Sequence, residues 1–194
     1  PAGTINDDQW LAHRAIVARH FEQIFSNPED GVHKLAGLWC GQTDGDDALE
    51  ALSTLGFRQP GAMLERLQVF RQSNRYLQLP ASNRERLDAL GPRLIEAAAA
   101  TTKPDATWQR GLDFFETISR RGAYLALLQQ YPQALMKVAE LIGSSSWAAA
   151  YLTRHPILLD ELLDPRIYKV DVDWPSFQGE LRRRPVEFRG HLHG

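Results

Sequence analysis

Four groups of side chains have types and spacings that could do chemistry. His13 and His20 lie seven residues apart, which on a helix is two turns and roughly 10 Å along the axis, too far for both imidazoles to reach one metal ion. Cys40 follows His33 at the same spacing. A thiolate nucleophile needs a base within hydrogen-bond reach and an electropositive setting, and this spacing supplies neither, so a buried inert thiol is expected. The run TDGDDALE at residues 43–50 has the composition of a calcium loop. An EF-hand loop, however, spaces its oxygen ligands over about twelve residues with a central glycine and a terminal glutamate, and here Gly45 comes too early and Glu50 too soon. Asp46 or Asp47 as the N-cap of a helix reaching residue 55 uses the same side chains. Finally, Arg58, Arg66, Arg71 and Arg75 form much of the wet side of the following helix. Nucleic-acid binding would want aromatics interleaved with those arginines, and Tyr76 alone does not provide them, so a solvated or partner-facing basic face is expected.

The densest local signal lies between residues 144 and 166, SSSWAAAYLTRHPILLDELLDPR. Ser144, Ser145 or Ser146 can each accept a backbone N–H as an N-cap, and consecutive alanines then favour a helix over residues 147–154. Pro156 stops that helix by pushing His155 into an extended conformation, and it also suits the first position of a second short helix reaching residue 163. On that second helix Leu158, Leu159, Leu162 and Leu163 share an apolar face. Asp160, Glu161 and Asp164 lie opposite, an acidic rim, with Arg154 at the end of the preceding helix. A solvated rim on a core-capping corner accounts for these charges. A rigid corner of this kind could also carry an interdomain contact through Arg154, Asp160, Glu161 and Asp164.

The string LTRHPILLDELLDP within that corner strongly resembles the segment just before the second catalytic domain of the glutamine synthetase adenylyltransferase/adenylyl-removing enzymes, bifunctional nucleotidyltransferases. The resemblance extends upstream through RRGAYLALLQQYPQALMKVAELIGSSSW and more faintly to AHRAIVARHFEQIF, leaving only the final PVEFRGHLHG outside it. Such a match implies the central helical segment between two catalytic domains.

Composition is compatible with that placement. At 194 residues and 43% hydrophobic content the chain can bury one sizeable core or two small helical ones. Lys and Arg number 22 against 24 Asp and Glu, so no global field favours nucleic acid or an anionic membrane. A single cysteine cannot form an internal disulfide, and no amino-terminal apolar run reaches signal-peptide or membrane-spanning length. Both features fit the cytoplasm. Pro1 stands without an initiating Met, so a fragment or a processed chain is expected, and the resemblance favours a fragment.

Stepping along the chain, helical periodicity recurs and sustained period-two alternation does not. Residues 7–25 predict an amphipathic helix through Trp10, Val17, Phe21, Ile24 and Phe25, closed by Asn27-Pro28. A short helix or turn over 32–40 follows, broken by Gly37 and Gly41. Pro60 then opens a helix with Met63, Leu67, Phe70, Asn74 and Leu77 as its stripe. Ser82 or Asn83 caps a helix over 84–101 with Leu87, Leu90, Leu94 and Ala98 inward and a kink at Gly91-Pro92. After a linker at 102–105, a long helix reaching residue 130 is expected to be the central rod, with Gly122 permitting close approach of a neighbour. Trp108, Phe115, Leu125, Leu128, Leu135 and Val138 are the predicted core, the last two from a short helix over 132–142. A final helix begins near Trp174, and Arg182, Arg183 and Arg184 at its carboxyl end suit the helix dipole without any ligand. The fold class is therefore all-α, an irregular bundle of about eight helices. Residues 1–28 read as a terminal helix resembling the end of the first catalytic half, 29–165 as the connector domain, and 166–194 as the approach to the second catalytic domain.

The resemblance implies a parent that attaches and removes AMP on glutamine synthetase, responds to the PII regulatory protein and glutamine, and uses Mg and ATP. In such transferases a Gly-Ser turn holds phosphates and a nearby Asp-x-Asp pair on a strand holds two magnesium ions. Here Gly143-Ser144 and Asp171-Val172-Asp173 imitate that pattern, but two helices and two prolines separate them and no β-rich run carries the aspartates. No catalytic, cofactor or metal residue is assigned, and this segment alone is expected to be inactive. The expected role is a non-catalytic linker or regulatory segment between flanking nucleotidyltransferase domains, with no nucleic-acid or membrane partner. The alternative is a free-standing helical protein-interaction domain.

Overall fold

The computed structural model describes residues 28–159. The chain divides into two compact units, Pro1–Pro156 and Ile157–Gly194; the described part of the second is residues 157–159 alone. Nine helices and no strand occur among the described residues: α1 (Pro28–Cys40), α2 (Gly45–Thr54), α3 (Pro60–Gln72), α4 (Asn74–Leu77), α5 (Ala81–Ala99), α6 (Pro104–Ile118), α7 (Gly122–Gln130), α8 (Pro132–Ser144) and α9 (Ser146–Arg154). The all-α expectation holds. The predicted helices over 7–25 and from Trp174, with His13, His20 and Arg182 to Arg184, lie outside the described residues.

The centre is α5, which packs against α1, α6, α7 and α8. Leu87, Leu90, Leu94 and Ala98 are buried, as their spacing predicts, and so are Ile95, Ala97 and Gly91. Trp39 of α1 lies flat over Gly91: a methyl group there would sit 2.0 Å from Trp39 Cδ2, so only glycine admits the indole. Around that indole gather Phe70, Trp108 and Phe115, with ring centroids 5.9, 6.1 and 6.5 Å away. All six predicted core residues are at most 2% exposed.

Several boundaries differ from the sequence reading. The expected rod ending at residue 130 is two helices, α6 and α7, separated at residues 119–121. Ser119 Oγ donates back to the Glu116 carbonyl at 2.8 Å, and the Ser119 carbonyl accepts from Asn83 Nδ2 at 3.1 Å, which diverts it from the intrahelical ladder. Gly122 then meets the same Asn83, whose Oδ1 would be 2.8 Å from an added Cβ. Asn83 is therefore a buried interhelical clamp and not a cap, and α5 starts at Ala81 with Pro80 before it. In α3 the inward stripe ends at Phe70, because Ser73 turns extended (φ −66°, ψ 143°) and caps α4 by accepting from the Tyr76 N–H. That break buries Tyr76 and leaves Asn74 and Leu77 exposed. Pro28 opens α1, which runs through Gly37. Asp44, two residues ahead of the nearer of the expected caps Asp46 and Asp47, precedes α2, and its side chain makes no capping hydrogen bond.

Candidate functional site

Of the four residues expected at the corner, Arg154 is described and exposed, in the last turn of α9. Asp160, Glu161 and Asp164 lie outside the described residues. The first helix of the expected corner begins and ends as the serines and proline require: Ser145 Oγ accepts from the Ala148 N–H at 3.2 Å, and His155 leaves α9 at φ −125°, ψ 67° ahead of Pro156. Ala148, Ala149 and Leu152 are buried, and α9 packs against α6 and α8. On the other side of α9 stands a feature the sequence reading missed. Trp147 stacks on Tyr151 with centroids 5.2 Å apart and planes 17° from parallel, and Tyr151 meets His155 at 4.7 Å. Helical spacing of four was the available signal, since it places all three rings on one face. Trp147 is 47% exposed.

The basic face of α3 and α4 is not a free surface. Arg66 reaches Asp113 and Glu116 of α6 at 2.9 and 3.1 Å, Arg71 reaches Asp88 of α5 at 3.4 Å, and Arg75 donates to the Glu116 carbonyl at 3.0 Å. Burial by itself lowers the pKa of Arg66, but the hydrogen bonds it donates to Asp113 and Glu116, and the charges of those carboxylates, raise it overall. These three arginines are fastened to neighbouring helices. Arg58 precedes α3 and is exposed, and its backbone N–H donates to Asp105 Oδ2 at 3.1 Å.

Asp88 accepts from three side chains. Its Oδ1 takes Tyr76 Oη at 2.6 Å, Trp39 Nε1 at 2.8 Å and Arg71 Nη1 at 3.4 Å. Burial, followed by the hydrogen bond and charge of Asp88, pushes the Tyr76 phenol far above its ordinary value, with Arg71 opposing. Such a node joins α1, α3, α4 and α5; it holds the phenol's proton in place and does not activate it.

The phosphate-turn reading of Gly143-Ser144 meets a different geometry. Gly143 is buried in the last turn of α8, where its carbonyl and that of Ile142 accept from Arg110 Nη1 at 3.2 and 2.6 Å. An arginine-capped helix carboxyl end presents carbonyls, the wrong polarity for cradling phosphate. No three His, Cys, Asp or Glu side chains among the described residues stand close enough to hold a metal ion. Asp171 and Asp173 lie outside the described residues. Cys40 is a free, half-buried thiol and His33 is exposed. No helix among the described residues is long and apolar enough to cross a membrane.

No family model matches the chain. It is 53% identical over 170 residues to the bifunctional glutamine synthetase adenylyltransferase/adenylyl-removing enzyme of Aromatoleum aromaticum, an alignment covering 88% of this chain and 18% of that protein. The enzymes of the same name from Chromobacterium violaceum and Burkholderia mallei are 45% and 44% identical, over 92% and 96% of this chain and 20% and 21% of theirs. The chain thus spans about a fifth of the length of these curated relatives.

Proposed function

Because the chain is homologous to one segment of the bifunctional glutamine synthetase adenylyltransferase/adenylyl-removing enzymes, we propose that it is their helical connector, a segment that does no transfer chemistry itself. In this role residues 29–165 hold two nucleotidyltransferase domains of the same polypeptide in a set orientation, within a cytoplasmic enzyme of nitrogen regulation. The transferase domains would bind Mg and ATP and act on glutamine synthetase, and the connector would pass on the influence of PII and glutamine. The observation that carries this reading is the alignment itself: high identity over most of this chain, confined to a fifth of each relative.

The helix ends support it physically. Asp105, Arg75, Arg93 and Arg110 each satisfy backbone groups at the end of another helix, so the helices are fixed to one another at their termini as well as along their faces. A body braced in this way can hold the spacing between domains. Titration calorimetry of this chain with Mg·ATP is the direct test. No heat of binding and no adenylyl transfer are expected, and micromolar affinity would overturn the connector reading.

A further inference from the structure

We propose that the Trp147–Tyr151–His155 face of α9 is an interface, covered in the full-length enzyme by an apolar patch with carboxylates at its rim, contributed by a domain of the same polypeptide. The proposal rests on the connector reading and adds to it the surface through which the connector is gripped. Single exposed apolar side chains are ordinary, and Val69 and Leu77 on α3 and α4, at 59% and 57% exposed, are of that kind. The α9 face differs because its rings are continuous: Trp147 stacks on Tyr151, and Tyr151 meets His155. Stacking fixes the side-chain rotamers before any partner arrives, which lowers the entropic cost of association. Trp and Tyr, with Arg154 exposed beside them, are the residue types that dominate interface energetics.

The occupant follows from charge and from chain length. Residues 144–155 contain no carboxylate, while the exposed Arg154 lies at the carboxyl end of the face, so a complementary surface is acidic at that edge and apolar over the rings. The chain spans only 18% to 21% of its relatives, leaving most of such an enzyme's surface to supply that patch. Ala148, Ala149 and Leu152 bury the opposite side of α9 against this chain's own core, so the helix is anchored while it presents the rings.

Hydroxyl-radical footprinting with mass spectrometry, applied to the full-length enzyme and to this chain, reads the cover directly. Trp147 in the full-length enzyme is expected to oxidise as slowly as the fully buried Trp39 and Trp108. Relative to the isolated chain its rate should fall at least about fivefold, as a half-exposed ring passes into an interface core. Leu77 should react equally in both. Oxidation of Trp147 at an exposed ring's rate in the full-length enzyme would overturn the proposal. That result would leave the connector reading intact, since the latter stands or falls on Mg·ATP binding by the isolated chain.

Discussion

Asp88 Oδ1 accepts three donors while its side chain remains 30% exposed, so each contact can be tested without emptying the core. Changing Tyr76 to Phe removes the shortest of them, and a hydrogen bond to a charged acceptor contributes about 1.5 to 3 kcal/mol. The pH dependence is the sharper readout. Below the ordinary tyrosine value of about 10 the phenol is protonated in folded and unfolded chains alike, and its stabilising effect is fully present. Above that value the unfolded chain releases the proton while folded Tyr76, with its pKa raised by burial and by Asp88, retains it; stability therefore falls as pH rises. Urea unfolding at pH 8 and near pH 11 should show a smaller alkaline loss in Tyr76→Phe than in the parent. Equal losses would show that Tyr76 titrates as if free. Phe115 tests the core under the node: it is fully buried against Trp39, and Phe115→Ala should cost about 3 to 5 kcal/mol. A loss below about 1 kcal/mol would mean that the ring is not packed as described.

At the scale of elements, what was legible in the sequence is what local periodicity carries. Leu87, Leu90, Leu94 and Ala98 declare the inner face of α5, and Ser145 and Pro156 bracket α9, because each signal acts within a turn or two of its own residue. The misread boundaries have distant causes. Asn83 breaks the expected rod by binding the Ser119 carbonyl 36 residues away, and Arg66, Arg71 and Arg75 of α3 and α4 resembled an open basic face because their acceptors lie on α5 and α6. The start of α3 is the clearest case. Gln59 offers its helix no side-chain cap, and the Arg58 and Gln59 N–H groups are taken instead by the two oxygens of Asp105, on the first turn of α6. Asp105→Ala leaves both donors to water and should cost about 1 kcal/mol, the usual effect of losing a helix cap. Hydrogen exchange should accelerate at Arg58 and Gln59 and leave the amides of α9 unchanged. Unaltered exchange at the two amides would mean that Asp105 does not cap α3.

At the scale of the whole described unit, α5 with its surrounding helices makes one braced body, and α9 is its last helix, just ahead of the residues where the sequence placed the candidate contact. Arg154 is exposed there, while the acidic members of the proposed contact follow beyond the described residues. Exposed charges rarely contribute more than about 1 kcal/mol to stability, so replacing Asp160 and Glu161 together by Asn and Gln should leave the unfolding midpoint of this chain almost unmoved. On the connector reading, the same double change acts in the full-length enzyme. A corner that fixes one domain against another alters the balance between their activities when its charges are removed, because the two orientations no longer differ in energy by the same amount. The expected outcome is a changed response of adenylylation and deadenylylation to PII and glutamine, with each basal activity largely kept. Initial rates of both reactions across an effector titration measure it. Loss of both basal activities would indicate damage to the fold, checked by the unfolding midpoint. An unchanged effector response with an unchanged midpoint would return Asp160 and Glu161 to solvated surface and remove the corner from the regulatory path.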